Sequence, residues 1–210
     1  GFKCLPGAAG SWGQGCIGFP AHPVLEITAA CNLRCIHCHT SGGGPADDEL
    51  TTTEVKRLID QLAEVREFRM MAFTGGEPLM RDDLFEVLAY AKARGFTNTL
   101  ATNGTLIDRR AAERIKEAGF SYVGISLDGM QAINDRFRGV SGAFESAMEG
   151  IKNCQDAGIK VGLRFTINKF NVAEIPHIFN LIEEMDIPRL CFYHLVYAGR
   201  GTELVKEDLT

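Results

Sequence analysis

Short apolar stretches alternate with longer amphipathic stretches along most of the chain. Runs of apolar and β-branched residues predict strands at 24–28, 69–76, 97–104, 122–129, 160–168 and 189–196. Apolar residues at helical spacing predict helices at 51–68, 82–94, 107–119, 142–158 and 172–186. Thr52 or Thr53 is predicted to cap the first helix, and Pro176 is expected in the first turn of the last.

This alternation predicts parallel strands connected by helices. We therefore expect an α/β fold, a partial (β/α)6 TIM-like barrel with the helices on the outside. A closed barrel of eight units needs ~250 residues, whereas the sequence has 210. The chain is accordingly expected to be a partial barrel or a piece of a longer protein. Residues 1–22, rich in Gly and Pro, are predicted to form an N-terminal extension, and residues 23–210 the barrel core.

Unusual polar and glycine-rich segments follow four of the predicted strands. They are the cysteine loop at 31–38, GGEP at 75–78, TNG at 102–104 and SLDG at 126–129. In parallel α/β folds the C-terminal ends of the strands share one edge, and chemistry collects there. We expect these four loops to form a single site.

Charge and hydropathy limit the classes of partner. The net charge is −5, with 22 Lys and Arg against 27 Asp and Glu, so no basic surface for nucleic acid is expected. No apolar run approaches the ~20 residues that span a membrane. The first residues lack the charged and then apolar pattern of a signal peptide. These features predict a cytoplasmic protein with neither nucleic-acid nor membrane partners.

Three of the seven cysteines, Cys31, Cys35 and Cys38, lie within eight residues. A zinc site could use them with His37 or His39 as a fourth ligand. An iron–sulfur cluster is the favoured alternative, because three thiolates on a four-iron cluster leave one iron open for another ligand. Unligated thiols are the third alternative. For Cys154 and Cys191, in apolar stretches, burial as small hydrophobic residues is expected.

The segment CNLRCIHC resembles the Cx3Cx2C signature of the radical S-adenosylmethionine (SAM) superfamily. GGEP at 75–78, TNG at 102–104, ISLDG at 125–129 and LRF at 163–165 are similar to its cofactor-contacting segments. The resemblance covers about residues 24–198. It implies an enzyme that reductively cleaves SAM to a deoxyadenosyl radical, which abstracts hydrogen from a substrate.

The resemblance also implies roles for individual residues. Cys31, Cys35 and Cys38 would hold a [4Fe–4S] cluster whose open iron binds SAM, with His37 beside the adenine. Glu77, in the loop with Gly75 and Gly76, would accept hydrogen bonds from the SAM amino group. Ser126 and Arg164 would hold the SAM carboxylate, and Thr102, Asn103 and Asp128 would face the ribose. Other interpretations stay open for three of them: Arg164 could pair with a neighbouring acid, Glu77 could be an acid at the N-terminus of the helix predicted at 82–94, and Asp128–Gly129 could form a turn.

Segments in the second half of the chain suggest the substrate. NDRFRGVSGAF at 134–144 resembles members with additional iron–sulfur clusters, and GLRFTINKFN at 162–171 and CFYHLVYAGRG at 191–201 resemble the siroheme- and haem-modifying branch. This resemblance implies a siroheme-derived tetrapyrrole, altered at a side chain in haem biosynthesis, and an electron donor such as flavodoxin or ferredoxin. His194 and Tyr197 are candidate substrate contacts. Rim arginines are candidate partners of tetrapyrrole carboxylates: Arg34, Arg81, Arg136, Arg138 and Arg200.

Alternatives to this function are a maturase of a ribosomal peptide and a zinc-binding module without enzymatic activity. Relatives in this branch have a cysteine-rich C-terminal segment with an auxiliary cluster, and this sequence shows no such segment before it ends at Thr210. A second iron–sulfur cluster stays open, with Cys4 and Cys16 as partial ligands. Two cysteines cannot complete such a site, so free thiols are slightly favoured for this pair.

Overall fold

Six parallel strands form one sheet in the order of the sequence, β1-β2-β3-β4-β5-β6. The computed structural model describes residues 22–120 and 122–209. The strands are β1 (Val24–Glu26), β2 (Met70–Thr74), β3 (Thr97–Thr102), β4 (Tyr122–Ser126), β5 (Lys160–Thr166) and β6 (Arg189–Tyr193). Each lies inside the corresponding predicted strand, so the partial barrel of parallel strands is confirmed. The predicted N-terminal extension lies almost entirely outside the described residues.

Helices follow the strands and cover one face of the sheet. They are α1 (Thr52–Ala63), α2 (Leu84–Ala93), α3 (Arg109–Glu117), α4 (Gln131–Arg138), α5 (Ala143–Asp156) and α6 (Ile175–Glu184). Short 3₁₀ helices occur at Pro78–Met80, Val172–Glu174 and Gly199–Glu207. Pro176 lies in the first turn of α6, as predicted.

The cap of α1 differs from the prediction by one residue. Thr51 is the N-cap, and it exchanges hydrogen bonds with Glu54 in a capping box. The prediction of Thr52 or Thr53 is therefore wrong. The reason is the spacing of the acid, because Glu54 lies three residues after Thr51 and can return a hydrogen bond to its backbone.

Helix α4 was not predicted from the sequence. It buries Asn134, Phe137 and Arg138 on one face and ends at Gly139, whose φ is 71°. Its first residue follows Met130, which makes no side-chain cap. The helix packs against α5 and inserts between β4 and the next connecting helix. This additional element stands beside the cysteine loop.

The two faces of the sheet have different compositions. Side chains that point toward the helices are apolar and fully or almost fully buried, among them Phe73, Leu100, Ile125, Leu163 and Phe165. The opposite face carries small and polar residues toward the C-terminal ends of the strands: Thr74, Ala101, Ser126, Arg164 and Thr166. One face therefore stabilises the fold, and the other leaves space for a site.

Helices in the described part of the chain are too short or too polar to cross a membrane.

Candidate active site

An open cavity of about 230 Å³ lies at the C-terminal ends of the strands. It brings together residues from the four loops that the sequence singled out. Among the predicted site residues, those that line it are Cys31, Cys35, His37, Cys38, Gly75, Gly76, Thr102, Asn103, Ser126, Arg164 and His194. Glu77, Asp128 and Tyr197 do not line it.

Backbone hydrogen bonds from distant elements hold the cysteine loop. The N–H groups of Arg34 and Ile36 donate to the carbonyls of Arg138 and Phe137, at the C-terminus of α4. These two bonds, each 3.0 Å long, extend the last turn of α4 onto the loop. Terminal carbonyls of a helix have no partner within the helix, so the cysteine loop supplies the missing donors.

Each cysteine sulfur in the loop has at least one nearby hydrogen-bonding group. The backbone N–H of Leu33 donates to Sγ of Cys31 at 3.4 Å. The hydroxyl of Thr40 lies 3.4 Å from Sγ of Cys38. Nη1 of Arg138 donates to Sγ of Cys35 at 3.6 Å. Such contacts suit thiolates, because donors stabilise negative charge on sulfur.

The thiol environments of the loop differ from one another. Burial raises the pKa of Cys31. For Cys38 burial acts in the same direction, but hydrogen bonds from Thr40 and Gly42 outweigh it and lower the pKa. The loop therefore favours the thiolate most clearly at its last cysteine.

Gly75 and Gly76 bring the backbone after β2 close to the loop after β1. A Cβ on Gly76 would lie 2.3 Å from the carbonyl oxygen of Ala30, a distance that no side chain tolerates. The neighbouring N–H groups, of Gly76 and Glu77, donate to the carbonyls of Thr28 and Ala30 at 2.7 Å each. The glycines are therefore required by close backbone packing.

The carboxylate of Glu77 is fully buried behind the cavity wall. It accepts hydrogen bonds from the Thr102 hydroxyl at 2.7 Å, the Asn103 N–H at 2.7 Å and the Leu79 N–H at 3.1 Å. Burial raises its pKa, and these donors act in the opposite direction. The contact of Glu77 with the SAM amino group stays a prediction. Glu77 is also the N-cap of the 3₁₀ helix at Pro78–Met80, whereas α2 begins only at Leu84.

Asp128 is likewise fully buried and does not face the cavity. Its carboxylate pairs with Nη2 of Arg138 and accepts the Thr166 N–H at 2.7 Å. The backbone N–H of Asp128 donates to Asn134 Oδ1 at 3.0 Å. The acid is enclosed by α4 and β5, and its contact with the SAM ribose stays a prediction. These partners make Asp128 more than part of a simple turn at Asp128–Gly129.

His37 belongs to the cysteine loop and packs against α4. Its ring stacks on Phe137 with centroids 4.4 Å apart and an interplanar angle of 22°. Nε2 is 3.6 Å from Asp128, and Nδ1 is buried without a hydrogen-bond partner among the described residues. Burial lowers the pKa of His37 to about 4, although Asp128 acts in the opposite direction. The ring is therefore neutral at physiological pH.

Arg164 projects from β5 onto the polar face of the sheet. Its register partner on β4 is Ser126, and both line the cavity. The guanidinium carbon lies 4.5 Å from the centre of the Tyr193 ring, within the range of a cation–π contact. No ion pair to Arg164 occurs among the described residues, so the alternative of a salt bridge to a neighbouring acid is not supported.

Three of the five rim arginines are engaged within the protein. Arg81 binds Asp83 and the carbonyls of Ile27 and Leu50. Arg138 binds Asp128 and Cys35, and Arg200 binds backbone carbonyls of the cysteine loop. Arg138 and Arg200 also line the cavity, and the role of the rim arginines as partners of substrate carboxylates stays a prediction. The sequence did not predict that Arg138 and Arg200 hold the cysteine loop in place. For Arg138 the helical spacing of Asn134, Phe137 and Arg138 on one face was a usable signal.

The sequence matches the Radical SAM superfamily over residues 25–182, well over half of the chain. The chain belongs to the radical SAM superfamily. It is 55% identical over 188 residues to the Fe-coproporphyrin III synthase of Methanosarcina barkeri, covering 89% of this chain and 47% of that protein. It is 43% identical over 186 residues to the pre-heme d1 synthase of Dinoroseobacter shibae, covering 88% and 46%. The haem-modifying branch is thus supported.

The chain is also similar to proteins whose names do not refer to haem. Mycofactocin maturase MftC of Mycobacterium tuberculosis is 35% identical over 181 residues, 85% of this chain and 46% of that protein. The structure of native anSMEcpe with bound AdoMet matches the fold with a TM-score of 0.71 at 22% identity, over 83% of this chain and 51% of that chain. This radical SAM chain therefore spans about half the length of the curated relatives it matches.

Membership of the superfamily implies a [4Fe–4S] cluster and SAM, and the arrangement of donors fits them. All three loop cysteines line the same cavity. Within residues 22–120 and 122–209, no group of three or more His, Cys, Asp or Glu is arranged around a point where one metal ion could bind. A mononuclear zinc site needs that arrangement, whereas cysteines that ligate separate irons do not.

The remaining cysteines lie apart from this radical SAM site. Cys154 is fully buried in the main core, as expected, and Cys191 is half-buried on β6. Cys4 and Cys16 lie outside the described residues, so a second iron–sulfur cluster stays a prediction. Tyr197, a candidate substrate contact, is half-exposed and pairs with Asp208.

Proposed function

We propose that this chain is the core of a radical SAM enzyme that alters a side chain of a siroheme-derived tetrapyrrole in haem biosynthesis. The observation that carries the reaction class is that three cysteine thiols, Ser126 and Arg164 open onto one cavity. The substrate class is supported by the names of the relatives at 55% and 43% identity, both of which are tetrapyrrole synthases.

Cys31, Cys35 and Cys38 would hold three irons of the [4Fe–4S] cluster and leave the fourth for SAM. When bound, the cluster and SAM supply reductive cleavage to a deoxyadenosyl radical that removes hydrogen from the substrate. The protein contributes by holding the thiolates: each sulfur already has a hydrogen-bonding neighbour. It also keeps the loop in place through backbone hydrogen bonds that N–H groups of the loop donate to carbonyls at the end of α4.

The polar groups of the cavity fit the two charged ends of the amino-acid part of SAM. Ser126 and Arg164 are register partners on adjacent strands and would bind the carboxylate together. Tyr193 would hold the Arg164 guanidinium over its ring face. The backbone of Gly75 and Gly76 lines the cavity and would meet the ammonium group. Glu77 would act behind it by fixing the backbone of Asn103.

His37, Thr102 and Asn103 would contact the nucleoside part of SAM. The neutral His37 ring is held flat against Phe137, which gives a rigid aromatic surface at the cavity edge. Thr102 and Asn103 line the cavity while their hydroxyl and N–H hold Glu77. Asp128 would support the site indirectly through Arg138.

The substrate would approach the open side of the cavity near His194, which is exposed there. An electron donor such as flavodoxin or ferredoxin would supply the reducing electron. We propose that this electron transfer takes place in the cytoplasm.

The test is an anaerobic assay of the reconstituted protein with decarboxylated siroheme, SAM and a chemical reductant. We expect deoxyadenosine together with a porphyrin of changed mass. Cys35→Ala should abolish both products, because it removes a cluster ligand. Cleavage of SAM by Cys35→Ala, with the cluster intact, would contradict the proposal.

A parallel assay separates the alternatives. Deoxyadenosine without a change in porphyrin mass, but with turnover of a peptide encoded next to the gene, would favour the ribosomal-peptide maturase. A colourless protein that purifies with zinc and makes no deoxyadenosine under reducing conditions would favour the zinc-binding module.

A further inference from the structure

Arg138 is a charged residue buried beside the cysteine loop, and its charge has no part in the reaction proposed for the site. Its side chain is 9% exposed and comes from the last turn of α4. One arm of the guanidinium, Nη1, donates to Sγ of Cys35 at 3.6 Å, across 103 residues of sequence. The other arm, Nη2, pairs with Asp128, which is fully buried. Nε is buried and has no hydrogen-bond partner among the described residues.

The position of this guanidinium is strongly constrained. The carboxylate of Asp128 accepts the backbone N–H of Thr166 at 2.7 Å, and the backbone N–H of Asp128 donates to Asn134 Oδ1 at 3.0 Å, so the carboxylate and the backbone of Asp128 are both held in place. The carbonyl of Arg138 itself accepts the N–H of Arg34, inside the cysteine loop. Side chain and backbone of Arg138 are thus both tied to the cluster loop.

The donor on Cys35 differs in charge from those on the other two sulfurs. Cys31 has a neutral backbone N–H and Cys38 a neutral hydroxyl, whereas Cys35 has a guanidinium. Hydrogen bonds to the sulfurs and nearby charge are two of the factors that set the reduction potential of an iron–sulfur cluster. A buried positive charge favours the state with one more electron, because little solvent screens it.

We propose that Arg138 and Asp128 together set the reduction potential of the cluster: Arg138 raises it through its charged hydrogen bond to Cys35, and Asp128 limits that effect by neutralising part of the charge. Arg138 is in this sense a positioning residue that acts through Cys35. The inference rests on the proposed function, because it needs a [4Fe–4S] cluster on the three cysteines.

Because Arg138 and Asp128 carry opposite charges, neutralising one or the other is expected to shift the reduction potential of the cluster in opposite directions. In Arg138→Gln a positive charge and the charged donor are lost, so one-electron reduction of the cluster becomes less favourable. We expect the reduction equilibrium constant to fall about tenfold, which is ~59 mV toward negative potential for one electron. In Asp128→Asn the arginine loses its counter-charge, and we expect a shift of similar size toward positive potential.

The experiment is a redox titration of the reconstituted protein without SAM, with dithionite as the one-electron donor and EPR detection of the reduced cluster. Omitting SAM excludes any effect that acts through cofactor binding. Arg138→Lys keeps the charge and should remain within about twofold of the wild-type equilibrium constant. Arg136→Gln removes the same charge from the exposed side of the same helix and should leave the potential unchanged.

Opposite shifts in Arg138→Gln and Asp128→Asn support the proposal. Unchanged potentials in both, or shifts of the same sign, overturn it, since general loosening of the loop would act in one direction. If Arg138→Gln does not retain a cluster, the sign of the shift in Asp128→Asn decides. A wild-type protein without a reducible four-iron signal would instead contradict the proposed function, which keeps the two failures distinct.

Discussion

The Nε atom of Arg200 donates a hydrogen bond of 2.7 Å to the backbone carbonyl of Cys35, 165 residues earlier in the chain. Its Nη1 donates to the carbonyl of Gly42 at 3.2 Å, and its backbone N–H donates to the carbonyl of Cys38 at 2.9 Å. Arg200, which follows β6 in the chain, therefore holds the cysteine loop at Cys35 and Cys38 and the segment just after it at Gly42. The tight backbone contact of Gly199 with the same loop agrees with this role.

We expect Arg200→Met to loosen the cluster loop. Two charged hydrogen bonds to carbonyls are lost, each worth about 1.5–3 kcal/mol to the folded loop. The cluster absorbance of the variant should decay at least several-fold faster in air than that of the wild type. Lys206→Met changes an exposed residue of the same segment and serves as the control. Equal decay rates in both variants would contradict the fastening role.

Glu77→Gln should destabilise the protein even without cofactors. The carboxylate accepts three hydrogen bonds from donors, and an amide would place its NH₂ group against one of them. A buried mismatch of this kind costs about 1–3 kcal/mol, measurable by urea unfolding of the cluster-free protein. Glu86→Gln, at an exposed position on α2 paired with Lys56, should change the free energy of unfolding by less than ~1 kcal/mol.

Arg164→Met should weaken SAM binding at least tenfold, about 1.4 kcal/mol. The variant removes the cation that lies beside Ser126 in the cavity. Binding is measured by equilibrium dialysis with the reconstituted protein. Arg189→Met is a matched control, because Arg189 makes a similar contact with the Tyr122 ring, at 4.9 Å, without lining the cavity. Equal losses of affinity in the two variants would show a general structural effect.

The sequence was sufficient to predict the strands, the order of the elements and the loops that meet at the cavity. The strands contain many apolar residues because one face of the sheet is buried under the helices, and the loops that follow them are rich in Gly and Cys. Helix α4 was missed because it has only eight residues and no capping side chain. Its buried face also includes Asn134 and Arg138, so its apolar pattern is weak.

The roles of the acids could not be predicted, because burial depends on partners far along the chain. Glu77 meets Thr102 and Asn103 only once β2 and β3 are adjacent. Asp128 and Arg138 are ten residues apart, but the pair forms only because α4 brings Arg138 back to the segment that follows β4. A carboxylate in a rim loop looks like a ligand in sequence, whereas its hydrogen bonds decide whether it faces the cavity.

Gly150→Ala should destabilise the protein, although Ala usually stabilises a helix by about 0.5–1 kcal/mol relative to Gly. A Cβ on Gly150 in α5 would lie 2.1 Å from the carbonyl oxygen of Gly104, directly after Thr102 and Asn103. Overpacking against the backbone costs about 1–3 kcal/mol, and urea unfolding measures it. Gly44→Ala, at an exposed position with open space around it, should be nearly neutral. A stabilised Gly150→Ala would contradict the close contact of α5 with this loop.

Cys154 should resist alkylation while the chain is folded. It is fully buried in α5, and burial raises its pKa from the ordinary 9.0 to about 12. At pH 8 the reagent therefore cannot reach the sulfur of Cys154, and the sulfur is not in the reactive thiolate form. Iodoacetamide labelling followed by peptide mass spectrometry should modify half-buried Cys191 well before Cys154. In concentrated urea the two cysteines should react at similar rates.

The same shift predicts a pH dependence of stability. The pKa of Cys154 is raised in the folded state, so burial of the neutral thiol contributes fully to the free energy of unfolding below pH 9. Between pH 9 and about 12 the thiol ionises in the unfolded chain but not in the folded one, and this contribution is progressively lost. The wild type should lose about 1.4 kcal/mol per pH unit above 9 relative to Cys154→Ala. Urea unfolding of both proteins at pH 8 and pH 10 measures this difference. Parallel pH profiles would show that Cys154 ionises without opening the core.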